Sequence, residues 1–395
     1  MSTAATTKQD PRLREAAATI AVYGQLPFVP VRSAGCEITT ADGRRILDLY
    51  GGHAVAALGY GHPQLVDAIK RQTEDLLFQS NAVALDVRAE AAEKLVGVAP
   101  TGLERVFFVN SGAEANENAL RMACAVTGRN KVLAITHGFH GRTAAAGAVT
   151  WNSDKWYGFP RKPFDTDFIP RNDCAAAEKM IGPDIAAVIF EPVQGVAGAF
   201  DLAADFLETL RCATTRHGAH LIADEVQTGI GRCGRFFAVQ AQDITPDILT
   251  SAKSLGGGIP CGAVLCTKDI AAHFGPGDLG STFGGGPVAA AAISAVIGAI
   301  ESENLLANVR DREIQIREQC IAGPVLRIQG MGLLLGLICD RPAVGVRDAL
   351  LEHDILTGTS ADPDVLRILA PLVITAQHVE RLAEALGSIS RGGAQ

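Results

Sequence analysis

From about residue 60 to about residue 280 the chain alternates short, wholly apolar runs with longer stretches in which apolar positions recur every three or four residues. The short runs read as buried strands and the longer stretches as helices laid against them, which predicts βα units around a mostly parallel sheet. Strands are expected at 105–109, 131–136, 186–190, 220–223, 247–250 and 263–266. Leu65, Val66, Ile69, Leu76 and Leu77 fall on one face of an amphipathic helix over 63–78.

After Gly284-Gly285-Gly286-Pro287 the pattern changes. A helical block runs to about Cys320, followed by strand-like 326–338, helical 346–353, a short apolar run at 365–369 and a last helix. Near the other end, 36–38 and 45–49 flank the turn residues Asp42-Gly43 and read as a hairpin of the same lobe. The expected class is therefore α/β, with a large domain over 56–285 and a smaller α+β domain. Both termini build the smaller domain, 1–55 as its N-terminal segment and 286–395 as the rest.

Composition narrows the function. The 395 residues are 48% apolar, ample for a core without staples, and 35 Lys plus Arg face 43 Asp plus Glu for a formal charge of −8. No basic field recruits nucleic acid or anionic lipid. Nine cysteines without a Cys-x-x-Cys pair suit a reducing cytoplasm better than a disulfide framework or a zinc site. Residues 1–14 are polar, so no secretory leader is expected there. The uncharged stretch 280–300 opens with Gly, Ser and Thr and is too short to span a membrane, which takes about 20 apolar residues; it reads as a buried helix.

The chemistry concentrates at strand ends. Ile222-Ala223-Asp224-Glu225 closes an apolar run on an acid, and Lys253 sits among small residues after the next run. A carboxylate at the C-terminal end of a sheet strand can keep a pyridine nitrogen protonated, and a desolvated lysine amine can hold an aldehyde as a Schiff base. Together they suit pyridoxal phosphate. Ser111-Gly112-Ala113 turns a strand into a helix whose first amides form an anion cradle, although Ser111 and Glu114 also have capping-box spacing. Phe139 can stack on a flat ring and Arg142 can grip a carboxylate in two-pronged fashion. His137 and His140 are three apart, but the glycines between and around them argue against a helical metal pair. Gly229-Ile230-Gly231-Arg232-Cys233-Gly234 matches a dinucleotide fingerprint literally, yet it lacks the acid-tipped second strand about 20 residues on.

These blocks, with Gly59-Tyr60-Gly61-His62-Pro63, Glu191-Pro192-Val193-Gln194-Gly195, Ser281-Thr282-Phe283 and Leu366-Arg367, resemble the class III aminotransferases of fold-type I pyridoxal phosphate enzymes. Within them the likeness is greatest to the acetylornithine aminotransferase group. The resemblance implies that Lys253 is the Schiff-base lysine, Asp224 the ring-nitrogen partner and Gln227 a donor to the ring hydroxyl. It further implies that Ser111, Gly112 and Ala113 hold the phosphate, that Phe139 stacks on the ring, and that Thr282 reaches the phosphate of a neighbouring subunit in a homodimer with shared sites. Arg142 would take the α-carboxylate of an ω-amino donor, and Arg367 a carboxylate of 2-oxoglutarate or glutamate. Glu191 would neutralise Arg367 while the donor is bound. The expected reaction is transfer of the terminal amino group of N-acetylornithine, or a close acylated ω-amino acid, to 2-oxoglutarate.

Some residues depart from the family pattern: Val196-Ala197 stand where Glu-Gly is usual, Gly286 where Asn is usual and Cys233 where Thr is usual. None removes a cofactor contact named above; the expected effect is a reshaped substrate wall. A 4-aminobutyrate or succinylornithine-type aminotransferase stays open as an alternative. So, further off, do a racemase or decarboxylase on the same cofactor and a binding protein that kept the fold. Two carboxylate clamps and a switching acid favour transamination.

Overall fold

The computed structural model describes residues 10–392, so the first nine residues of the polar N-terminal stretch lie outside the described residues. Seven strands form the central sheet: β1 Arg105–Val109, β2 Lys131–Ile135, β3 Asp165–Ile169, β4 Ile185–Phe190, β5 His220–Asp224, β6 Ile248–Ser251 and β7 Gly262–Cys266. Their order is β1-β7-β6-β5-β4-β2-β3. β3, β2, β4, β5 and β6 run parallel, and β7 is antiparallel to both β6 and β1. The sheet is thus mostly parallel, as the βα alternation predicts. Every residue of β4, β6 and β7 is buried, which explains why these strands read as continuous apolar runs.

β3 escaped the sequence reading. Its residues Asp-Thr-Asp-Phe-Ile open with three polar positions and lie at the sheet edge, half exposed, so no apolar run marks them. The helix expected over 63–78 also ends early: α1 spans Pro63–Asp75. Leu76 and Leu77 lie past its end at 39% and 65% exposure, and Phe78 meets the Phe283 ring 5.2 Å away. Of the expected stripe, Leu65 is buried and Ile69 packs on the core from a half-buried position.

α2 (Asp86–Val98), α3 (Gly112–Thr127) and α4 (Pro287–Ser302) complete the frame around the site. α4, the uncharged stretch, is buried along α1 and α2. Among the described residues no single helix is long and apolar enough to cross a membrane. At the chain ends, strands Glu37–Thr40 and Arg45–Asp48 form the expected hairpin, and Arg45–Asp48 pairs in parallel with Ile355–Leu356. A separate four-stranded sheet contains Val325–Met331, Leu334–Cys339, Val365–Ile368 and Gly358–Thr359. Its strand Val365–Ile368 delivers Arg367 toward the end of the central sheet.

Candidate active site

β5 and β6 are parallel neighbours, with Asp224 opposite Thr250, so the acid and the lysine that follow from them emerge side by side at the C-terminal edge. This is where open α/β sheets leave a crevice for ligands. Lys253 begins the 3-10 turn Lys253–Gly256 with φ of 46°, a left-handed backbone that a non-glycine residue rarely holds. A cavity of about 500 Å³ opens there, lined by Lys253, Asp224, Gln227, Glu191 and Phe139 together with the first turn of α3.

Asp224 is 3% exposed and fully engaged from behind. Its Oδ2 accepts from Asn116 Nδ2 at 2.7 Å and faces His140 Nδ1 at 2.7 Å, while Oδ1 accepts from the Val226 amide at 3.0 Å. A carboxylate offers only acceptors, so His140 Nδ1 carries the proton. Asn116 also donates to the His140 carbonyl at 2.7 Å, and its own oxygen accepts from Thr250 Oγ1 at 2.7 Å. The result is a buried network that ties α3, β5 and β6 to one carboxylate.

Asn116, His140 and Thr250 were not singled out for this role from the sequence. One signal was available for Asn116: it is a polar residue within the buried face of α3, whose other buried positions include Ala115, Ala119, Leu120 and Ala123. The metal alternative for the histidines fails on geometry. His140 is turned into the network while His137, at a positive φ, lies near the Trp151 ring 5.6 Å away. Among the described residues no cluster of three metal-ligating side chains exists.

Lys253 Nζ has neither a hydrogen bond nor an ion pair among the described residues. Desolvation pushes its pKa down to about 8, against the opposing pull of Asp224 and Glu191. Glu191 is 5% exposed; burial drives its pKa up to about 7, with the His140 ring acting against that rise and the Asp224 charge adding to it. Its Oε1 accepts the Phe139 amide at 2.9 Å and Oε2 accepts the Gly195 amide at 3.3 Å.

Arg367, 6% exposed, donates to the Thr359 carbonyl at 2.7 Å, the Gly195 carbonyl at 3.2 Å and Tyr50 Oη at 2.9 Å. Glu191 and Arg367 therefore hold the two sides of one residue, Gly195, Glu191 on its N–H and Arg367 on its carbonyl. No direct ion pair joins them among the described residues. Desolvation lowers the Arg367 pKa, with Tyr50 and Glu191 pulling the other way.

The start of α3 keeps both of its readings. Ser111 Oγ caps the Glu114 amide at 3.1 Å, but the Glu114 carboxylate reaches the Asn110 amide at 2.8 Å instead of that of Ser111. The box is therefore incomplete, and the Gly112 and Ala113 amides meet no protein acceptor among the described residues. A Cβ on Gly112 would lie 2.6 Å from Val226 Cγ1, so the close approach of α3 to the cavity floor requires glycine. Gln227 Oε1 is likewise buried without a partner. Gly195 clears its space, since a Cβ there would fall 1.7 Å from that oxygen.

Two expected residues sit apart. Arg142 is exposed at the cavity rim, its guanidinium 4.5 Å above the Trp156 ring. Thr282 is exposed in the loop before α4 and does not line this cavity. The dinucleotide-like glycines serve a different purpose. They carry Arg232 into full burial, where it donates to the Ala370 and Leu333 carbonyls away from the cavity.

A parallel sheet ending in an acid and a lysine beside a helix N-terminus defines a phosphate-bearing cofactor site of the transferase type. Residues 19–389 match the class-III aminotransferase family, and the chain belongs to it. It is 40% identical over 377 residues to the acetylornithine aminotransferase of Corynebacterium efficiens, covering 93% of each chain. It is also 40% identical over 377 residues to that of Methanopyrus kandleri, covering 94% of this chain and 96% of the other. Among solved structures, the ornithine aminotransferase from Toxoplasma gondii superposes with a TM-score of 0.89 at 28% identity, over 96% of this chain and 94% of the other. The acetylornithine aminotransferase from Elizabethkingia anophelis gives 0.85 at 29%, over 95% and 97%. The protein is a pyridoxal phosphate-dependent aminotransferase, acting on an amino donor and a keto acid.

Proposed function

We propose that the enzyme moves the terminal amino group of N-acetylornithine, or a close acylated ω-amino acid, to 2-oxoglutarate, giving the semialdehyde and glutamate as a step of arginine biosynthesis. The observation that carries this reading is the cavity that holds Lys253, Asp224 and Glu191 with Arg142 at its rim, and, outside its lining, a second buried arginine, Arg367, that bonds the carbonyl of the same Gly195 whose amide Glu191 accepts. A donor and an acceptor that both bear carboxylates need such clamps.

The residues present fit pyridoxal phosphate. The unpartnered amides of Gly112 and Ala113 at a helix N-terminus suit its phosphate, with Ser111 beside them, and the orphaned Gln227 oxygen suits its ring hydroxyl as an acceptor, the reverse of the donor role that the resemblance implies. Phe139 offers a face to the ring. When bound, the cofactor supplies an aldehyde that takes the amine and a protonated ring that draws electrons from the bond being broken.

Asp224 would hold the proton on the ring nitrogen. Asn116, His140 and Val226 keep its carboxylate aimed, because each donates a hydrogen bond to it. With a pKa of about 8, Lys253 is roughly one-tenth neutral at pH 7, so Nζ can act as nucleophile and then carry a proton to and from the donor carbon. Arg142 would orient the donor through its α-carboxylate. Arg367 would take a carboxylate of 2-oxoglutarate or glutamate, and Glu191 would govern when that charge is available, through Gly195, which both residues hold.

Thr282 would complete the phosphate site of a second subunit in a homodimer. The exposed Phe283 and Phe78 beside it, at 65% and 42%, supply apolar surface for that contact. Nine free thiols support a cytoplasmic setting. Single-turnover measurement of the two half-reactions tests the assignment. Arg367→Ala should impair the glutamate half far more than the donor half, and Arg142→Ala should show the reverse bias. Equal damage to both halves by each change would refute the division.

A further inference from the structure

The turn after the strand Arg45–Asp48 is left-handed over four successive residues: φ is 56° at Gly51, 57° at Gly52, 63° at His53 and 66° at Ala54. Glycine holds that backbone freely, but His53 and Ala54 do so only when their surroundings impose it, and such places concentrate at functional sites. Here the Asp48 carboxylate accepts the Tyr50 and Gly51 amides at 2.7 and 2.9 Å, and Ser254, the residue after Lys253, donates to the Ala54 carbonyl at 2.9 Å. Gly51 lies against the Leu369 carbonyl, where a Cβ would fall 2.8 Å away. Gly358, opposite Arg367 in its sheet, leaves the space that the Tyr50 ring fills, since a Cβ there would run into Tyr50 Cε2. The turn is thus built to set Tyr50 against Arg367 and the His53 ring edge-on against Tyr50, 4.7 Å away.

Tyr50 Oη accepts from Arg367 Nη2 at 2.9 Å and lies 2.8 Å from His53 Nδ1, its only two partners among the described residues. A phenol has one proton to give. Arg367 is always a donor, so that proton goes to Nδ1, and His53 is neutral with its own proton on Nε2; the opposite arrangement leaves the hydroxyl proton without an acceptor. Desolvation, then the charges of Arg367 and Lys253, lower the His53 pKa and favour this neutral form. Thr359, Gly195 and Tyr50 each take one guanidinium N–H of Arg367, which leaves one on each terminal nitrogen for the two oxygens of a carboxylate. We propose that His53 is a positioning residue for the acceptor clamp: by receiving the Tyr50 proton it turns the hydroxyl oxygen to Arg367 and holds the guanidinium ready for a carboxylate of 2-oxoglutarate or glutamate. This rests on the reading of Arg367 as that clamp.

Kinetics on holoenzyme with N-acetylornithine and 2-oxoglutarate, and calorimetry with the unreactive dicarboxylate glutarate, test the relay. His53→Ala should raise KM for 2-oxoglutarate and Kd for glutarate about three- to tenfold, the worth of one hydrogen bond, while KM for the donor and kcat shift less than about twofold. Tyr50→Phe, which keeps the ring in the space that Gly358 clears, should cost at least as much. Adding His53→Ala to Tyr50→Phe should cost nothing more, because His53 acts only through that hydroxyl. His53→Asn, whose amide oxygen can receive the proton and which tolerates a left-handed backbone, should restore most of the loss. If His53→Ala leaves acceptor binding unchanged, weakens donor and acceptor alike, or adds its full effect to Tyr50→Phe, the inference fails and Arg367 stands as the clamp. If Arg367→Ala itself leaves glutarate binding unchanged, the clamp reading fails and takes the inference with it.

Discussion

At the level of single residues the account turns on how burial sets charge. Glu191 has its pKa raised to about 7 from an ordinary 4.5, so between those values the folded protein holds a proton that the unfolded chain has released. Stability contributed by this group therefore falls as pH rises from 4.5 to 7. Glu191→Gln removes that dependence. Its melting temperature relative to wild type should climb across the same interval and level off above pH 7, whatever constant offset the lost hydrogen bond imposes. A difference that stays flat from pH 4.5 to 8 would mean Glu191 is ionised throughout. Lys253 and Asp224 were legible in the sequence because each closes an apolar run on a charge. His140 was not, because nothing in Phe139-His140-Gly141 says which way the ring turns, and only the fold carries it onto Asp224.

Elements matter here for what they bring together. The six strands with apolar runs were readable, whereas β3 was hidden by its half-exposed edge position and α1 was read too long because Leu76 and Leu77 continue its spacing past its end. Helix α3 is anchored to β5 and β6 through one side chain, Asn116, which serves Asp224, the His140 carbonyl and Thr250 at once. Asn116→Ala should cost about 1–3 kcal/mol in denaturant unfolding, the penalty for stranded buried polar groups, and should weaken cofactor retention by freeing Asp224. Unchanged stability would mean that water or a neighbour replaces those bonds. Gly195→Ala tests the same principle between the two small strands Val193–Gln194 and Phe200–Asp201. The added methyl displaces Gln227, so cofactor affinity should drop at least tenfold with the far-ultraviolet circular dichroism unchanged.

Across the whole molecule, the sequence made plain a mostly parallel sheet with a hairpin and tail at its ends. The pairing of Arg45–Asp48 with Ile355–Leu356 was beyond it, because two residues carry no periodic signal over so long a separation. The proposed association surface at Phe78 and Phe283 also belongs to this scale. Phe283→Asp should shift the particle toward monomer in sedimentation and weaken cofactor binding, if Thr282 serves the neighbouring site; a monomeric variant with unaltered cofactor affinity would separate the two roles.

The most direct test of the central claim follows the nitrogen itself. N-acetylornithine labelled with nitrogen-15 at its terminal amine, incubated with holoenzyme and 2-oxoglutarate, should yield glutamate carrying the label by mass spectrometry, and Lys253→Ala should reduce its rate of formation by several orders of magnitude. Unlabelled glutamate, or labelled glutamate formed by Lys253→Ala at the wild-type rate, would contradict an amino transfer carried out by Lys253 in this cavity.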